Sequence, residues 1–122
     1  MTTRVYLPLT IALLAELHAS GETTVTDDAV VAEDDSEDGE YAALMTAADA
    51  SAELLAGPGR RVVVVAELEK EPETGWTVPL KRLVAVHADP EDRPADADPD
   101  EDLGWYGVQE IATTILGAHE PE

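Results

Sequence analysis

The run RRVVVVAEL, Arg60 to Leu68, leaves this chain the fewest choices. Its four consecutive valines are β-branched and stiff at χ1, which favours a strand over a helix. A strand with no polar alternation has no face to give to water, so it belongs in the middle of a sheet with both faces covered. The other elements have to be placed around it.

Several segments can supply those elements. Arg4 to Leu9 (RVYLPL) is rich in strand formers, and Pro8 is expected to end that strand. Thr10 is a suitable N-cap for a helix in which Ile11, Leu14 and Leu17 recur at helical spacing to Ser20, with Gly21 as the stop. Thr23 to Thr26 is a short β-branched run. A second helix is predicted from Tyr41, Leu44, Met45, Ala48, Ala52 and Leu55, which form one apolar stripe that Gly57-Pro58 terminates. Trp76 to Val78 reads as an edge strand and Leu83 to Asp89 as a further strand. Val108, Ile111, Ala112, Ile115 and Leu116 give a last helix, stopped at Gly117. This order predicts a single α+β domain over residues 1–122: a mixed, mainly antiparallel sheet with about three helices packed on one face. A three-layer α/β arrangement is the alternative.

Charge separates the chain into a domain and its attachments. The net charge is −20, from 27 acids and 7 bases. Asp27 to Glu40 holds eight acids and no base, and Asp89 to Asp102 holds eight acids with Arg93 alone against them. The first segment leads into the second helix, where acids at the N-terminus gain from the helix dipole. The second is broken by Pro90, Pro94 and Pro99 and reads as a solvated loop. A halophile surface would be acidic throughout, whereas here eleven acids face six bases outside the two segments. So few cations argue against nucleic acid as a ligand. With 28 Leu, Ile and Val among 122 residues, the core is expected to be thin and rich in alanine. The absence of cysteine excludes disulfides, thiolate metal sites and cysteine nucleophiles.

Arg4, the apolar run Val5 to Ala15 and the exit HAS have the outline of a secretory signal, but Pro8 and Thr10 interrupt the run and one cation precedes it. The stretch reads equally as a strand entering a capped helix, and a cytoplasmic location is the expectation. No segment is long and apolar enough to span a membrane.

Taken in order, RVYLPLT (Arg4 to Thr10), EYAAL (Glu40 to Leu44), RRVVVVA (Arg60 to Ala66), VPLKRLVAVHAD (Val78 to Asp89) and WYGVQEI (Trp105 to Ile111) resemble an uncharacterised family of small acidic actinobacterial proteins, a domain of unknown function. The resemblance spans most of the domain and leaves out the acidic loops. It implies a cytoplasmic actinobacterial setting and brings no activity with it.

Four constellations could carry chemistry. DDSEDG, Asp34 to Gly39, offers Asp34, Ser36 and Asp38 at calcium-loop positions, but Met45 stands where the bidentate Glu is required and already belongs to the helix stripe. A capped helix N-terminus is the expected reading. Asp96, Asp98 and Asp100 alternate as calcium ligands do, without a turn glycine and with Pro99 between them. His87 and Asp89, two apart on a strand, would share a face; such a pair can orient an imidazole for base catalysis or join a metal site. Glu110, Glu67 and Tyr6 are candidates for a third donor. GPGRR is not a phosphate loop, since it lacks the Lys-Ser/Thr ending and follows a helix. No cofactor is expected.

The chain has five aromatic residues, and Trp105 and Tyr106 stand side by side between Gly104 and Gly107. As strand neighbours they face opposite ways. Trp105 is expected to close the core against the second helix near Met45 and Leu55, and Tyr106 to lie on the outer face near His87. The favoured function is a non-catalytic protein-interaction module whose acidic segments steer a basic protein partner. On that reading, deleting Pro90 to Asp102 should weaken the association and leave the domain folded. The alternative is a small enzyme or divalent-metal-dependent binder centred on His87 and Asp89, with Tyr106 and Glu110 as further candidates.

Overall fold

The computed structural model describes residues 3–32, 36–94, 96–98 and 101–116. The elements are β1 (Thr3–Leu9), α1 (Ile11–Ser20), β2 (Glu22–Thr24), β3 (Val30–Val31), α2 (Glu37–Leu55), β4 (Val62–Leu68), β5 (Thr77–Pro79), β6 (Leu83–Ala88) and β7 (Gly104–Tyr106). A 3-10 turn, Val108–Glu110, then runs into a π-type turn, Ile111–Ile115, closed by Leu116 N–H donating to Ile111 C=O at 2.9 Å. Five strands form one sheet in the order β3-β1-β4-β6-β7, every pair antiparallel, and β2 and β5 form a separate two-stranded ribbon. The α+β class and the mainly antiparallel sheet expected from the sequence are therefore present, and every pairing in the described sheet is antiparallel.

The valine run is β4 and lies at the centre of the sheet, with Val62 to Ala66 all buried. Its two faces are covered by different material, which corrects the expectation of helices on one face. On the first face α1, the C-terminal segment and the ribbon bury Val5, Leu7, Leu9, Leu14, Leu17, Val25, Val62, Val64, Val78, Val86, Ile111 and Ile115 in one cluster. On the second, α2 buries Tyr6, Ala43, Ala47, Ala48, Val63, Val65 and Ala85.

Local chemistry accounts for the elements. Thr10 Oγ1 accepts from Leu13 N–H at 3.1 Å to start α1, and Gly21, at φ 83°, ends it in the left-handed region. Ser36 Oγ accepts from Gly39 N–H at 3.0 Å to start α2, with Glu37, Asp38 and Glu40 in the first turn. The left-handed residue that ends α2 is Ala56, at φ 55°, one position before the expected Gly57.

Pro8 does not end β1. It pairs with Val63 inside the strand. The flank on its other side is open, because β3 reaches only Val5 and Tyr6, so no strand requires the missing N–H. The expected stripe of α2 is also rotated. Its buried residues are Ala43, Ala47, Ala48 and Ser51, while Tyr41 and Ala52 are exposed and Leu44, Met45 and Leu55 are half-buried. The valines and Tyr6 beneath it already fill the layer, and small residues let the helix sit close. Ser51 belongs to this stripe because its hydroxyl donates to Leu9 C=O (2.6 Å) and accepts from Val62 N–H (2.8 Å), joining α2 to the end of β1 and the start of β4.

Candidate functional site: an aromatic groove beside helix α2

An α-helix is about 10 Å across and neighbouring strands are about 4.8 Å apart, so one helix shields roughly two strands of a five-stranded sheet. α2 is centred on β1 and also lies against its neighbours β3 and β4. The second face of β6 and β7 therefore has no helix above it, and a cavity of about 420 Å³ opens there. Its walls are Arg4 and Tyr6 of β1, Glu37, Glu40, Tyr41 and Leu44 of α2, Val65 of β4, Val84, Ala85 and His87 of β6, and Trp105 of β7.

Each wall has a local cause. His87 and Trp105 are register partners on adjacent antiparallel strands, so their side chains project from the same face about 5 Å apart at Cβ. Val84 reaches the groove because the β4–β6 register slips: Val65 pairs with Ala85 but Ala66 with Leu83, which makes Val84 the extra residue of a bulge. Tyr41, 50% exposed on α2, is held upright by its hydroxyl donating to Asp102 Oδ1 at 2.8 Å. Arg4 closes the opposite end, with ion pairs to Glu40 of α2 (3.0 Å) and Glu67 of β4 (3.4 Å). Burial pushes the Tyr6 phenol above its usual range, and the charge of Glu40 adds to this against the opposing Arg4. Burial likewise holds the His87 imidazole below 6.5, which favours its neutral form.

Of the residues singled out in the sequence, His87 and Tyr6 line this groove and Asp89, Glu110 and Tyr106 do not. β6 ends at Ala88, and the Asp89 side chain is buried, 2% exposed, against Arg61, itself 1% exposed. Asp89 Oδ2 accepts from Arg61 N–H (2.8 Å) and Nε (2.9 Å), and Oδ1 accepts from Nη2 (2.8 Å). Arg93 Nη1 stands 3.7 Å from Oδ2. Asp89 is thus a structural anchor instead of a partner for His87. Glu110 caps its own turn, its Oε1 accepting from Gly107 N–H at 3.0 Å. Glu67 is engaged by Arg4.

The two aromatic neighbours are placed differently from the expectation. Trp105 does face the α2 side, but it stands beside the N-terminal half of the helix, far from closing the core, and is 67% exposed. Tyr106 packs half-buried against the cluster of the first face, away from His87. The strand alternation was readable; the reach of α2 was not, because that depends on which strands the helix crosses.

The acidic segments are more structured than their composition suggests. β3 lies within the first. In the second, Arg61 Nη2 donates to Glu101 C=O at 2.9 Å, Arg93 Nη2 donates to Asp98 C=O, and Gly59 and Arg93 exchange backbone hydrogen bonds of 3.0 and 2.9 Å. A deletion of Pro90 to Asp102 would remove these ties, so it cannot separate charge from folding. Of the cation-ligand candidates, Asp38 lies in the first turn of α2, Asp96 and Asp98 lie in the second segment, and Asp34 and Asp100 fall outside the described residues. Among the described residues no three His, Asp or Glu side chains are grouped to hold a metal ion, and no helix is long and apolar enough to cross a membrane.

Fold and groove together define a small α+β protein with an antiparallel sheet, closed on one face and partly open on the other. The chain belongs to the family of unknown function DUF6912, which it matches over residues 3–115, from the first strand to the end of the C-terminal segment. No curated protein and no solved structure matches it. The family of unknown function implied by the five sequence motifs is thus present over most of the chain.

Proposed function

We propose that this protein is a non-catalytic cytoplasmic module that associates with another protein through the groove beside α2. One observation carries the reading: three of the chain's five aromatic residues, Tyr6, Tyr41 and Trp105, line a single cavity, and Trp105 is 67% exposed at its mouth. An exposed tryptophan over an apolar floor of Val65, Ala85 and Leu44 is the kind of anchor on which protein interfaces concentrate their energy. The acidic segments would add long-range steering of a basic partner. The cytoplasmic setting is supported by Arg4 to Ser20, whose signal-like outline is built into the fold as β1 and α1, with β1 paired on both sides. The actinobacterial origin is part of the same reading and rests on the motif resemblance.

The alternative, a small enzyme or divalent-metal-dependent binder centred on His87 and Asp89, has less behind it, since the Asp89 carboxylate is paired with Arg61. The association reading is tested by selecting a phage-displayed random peptide library on the wild-type protein and measuring each enriched peptide against Trp105→Ala. Peptides that bind the variant at least tenfold more weakly are expected. Enriched peptides that bind both proteins equally would refute docking at this groove.

A further inference from the structure

We infer that the groove recognises a cationic side chain, the ammonium of a lysine or the guanidinium of an arginine on the partner, held against Trp105 and Tyr41 with Glu37 as its counter-charge. This deepens the association reading and rests on it.

The charges around the groove favour a cation. Its lining contains one permanent cation and two acids, and the cation, Arg4, is already engaged by Glu40 and Glu67. Asp102, which accepts from the Tyr41 hydroxyl, adds a third carboxylate next to the groove. Glu37 occupies the first turn of α2, exposed, and lines the same cavity as Trp105. His87, the other nitrogen base in the wall, is held toward its neutral form by burial and so does not repel an incoming cation near neutral pH.

The aromatic faces supply the rest. A cation over an indole or phenol ring is attracted by the ring quadrupole, most strongly over tryptophan. Trp105 and Tyr41 come from different elements, one on the edge strand and one on the helix, and both line the cavity, so a side chain entering it has two aromatic residues within the same walls. An anionic ligand would meet Glu37, Glu40 and Asp102 first. An uncharged apolar side chain would use the same rings but leave Glu37 without a partner. With a net charge of −20, the molecule as a whole attracts cations.

The test uses the full chain labelled with ¹⁵N, so that the Trp105 indole N–H reports on the groove, with Trp105→Phe assigning that resonance. The probes are two blocked pentapeptides, Ala-Ala-Lys-Ala-Ala and its counterpart with norleucine, which has the same carbon chain and no charge. The lysine peptide is expected to shift the Trp105 resonance and to bind about three- to tenfold more tightly than the norleucine peptide. Glu37→Gln, a near-isosteric change at an exposed site, is expected to remove most of that preference while the remaining backbone resonances stay in place. Equal binding of the two peptides at Trp105 would overturn the cation inference and leave the groove as a docking site. A lysine preference that survives both Glu37→Gln and Trp105→Ala would overturn it as well, placing the contact elsewhere on the acidic surface. No shift with either peptide overturns it too, and the phage selection then decides the association reading by itself.

Discussion

The two faces of the sheet are built from the same strands and finished in different ways. The first is covered by α1, the C-terminal segment and the β2–β5 ribbon, and its cluster is made of Leu, Ile and Val drawn from all of them. The second is covered mainly by α2, through alanines and one serine. A stripe of small residues brings a helix close to a sheet and so narrows what it can shield. The open remainder over β6 and β7 holds His87 and Trp105. The closed face gives the domain its stability and the partly covered one gives it a surface.

This contrast depends first on β7 being held at the sheet's edge, and the strongest hold near it is the buried pair of Arg61 and Asp89, where β6 leaves the sheet. Asp89→Ala leaves a guanidinium buried without its carboxylate, a loss of about 3–5 kcal/mol. Urea denaturation is the measurement. A loss below about 1 kcal/mol would mean that the loop between β6 and β7 is held by its other ties, and that the edge of the open face does not depend on the pair.

The alanine stripe is the next point at which the comparison can be broken. Ala47 is fully buried between α2 and the sheet. Ala47→Leu adds three carbons to a filled layer and is expected to cost about 1–3 kcal/mol by lifting the helix. If stability is unchanged within error, α2 is seated loosely, and close packing does not explain the groove.

The sequence disclosed the strands and the caps more readily than the site. Four valines in a row announced a central strand, Thr10 and Gly21 marked the ends of α1, and alternation separated Trp105 from Tyr106. These are local signals, set by φ/ψ preference and side-chain period. The buried face of α2 was misread because large apolar residues dominate a periodicity argument, while Ala43, Ala47 and Ser51, which do the packing, weigh little in it. The groove needed the strand order and the crossing position of one helix, both set by tertiary contacts. Asp89 was noticed for its spacing from His87, but its partner Arg61 is 28 positions away in sequence, and no local pattern connects them.

His87 offers a smaller effect, and one with a sign. Burial in the open face depresses its folded pKa below the 6.5 of an unfolded chain. Below pH 6.5 the unfolded state takes up a proton that the folded state resists, so stability falls as pH drops from 6.5 toward the folded pKa. The slope for one group cannot exceed about 1.4 kcal/mol per pH unit. His87→Gln should flatten this part of the profile between pH 7.5 and 5.5. Carboxylate contributions are common to both proteins and cancel in the difference. Parallel profiles would place the His87 ring in solvent and remove it from the groove wall.

The smallest expected effect bears most directly on the contrast between the faces. Leu14, on the closed face, has no exposed surface, and its truncation to alanine would open a cavity costing about 2–5 kcal/mol. Trp105 is the bulkier side chain by far, yet at 67% exposure it shelters little of the fold. Trp105→Ala is therefore expected to change the unfolding free energy by no more than about 0.5 kcal/mol, measured by the same urea titration. A tryptophan that can be removed at no cost to folding is kept for something other than folding. If its loss instead cost as much as that of Leu14, Trp105 would be core after all, the second face would be as closed as the first, and the groove would have no anchor.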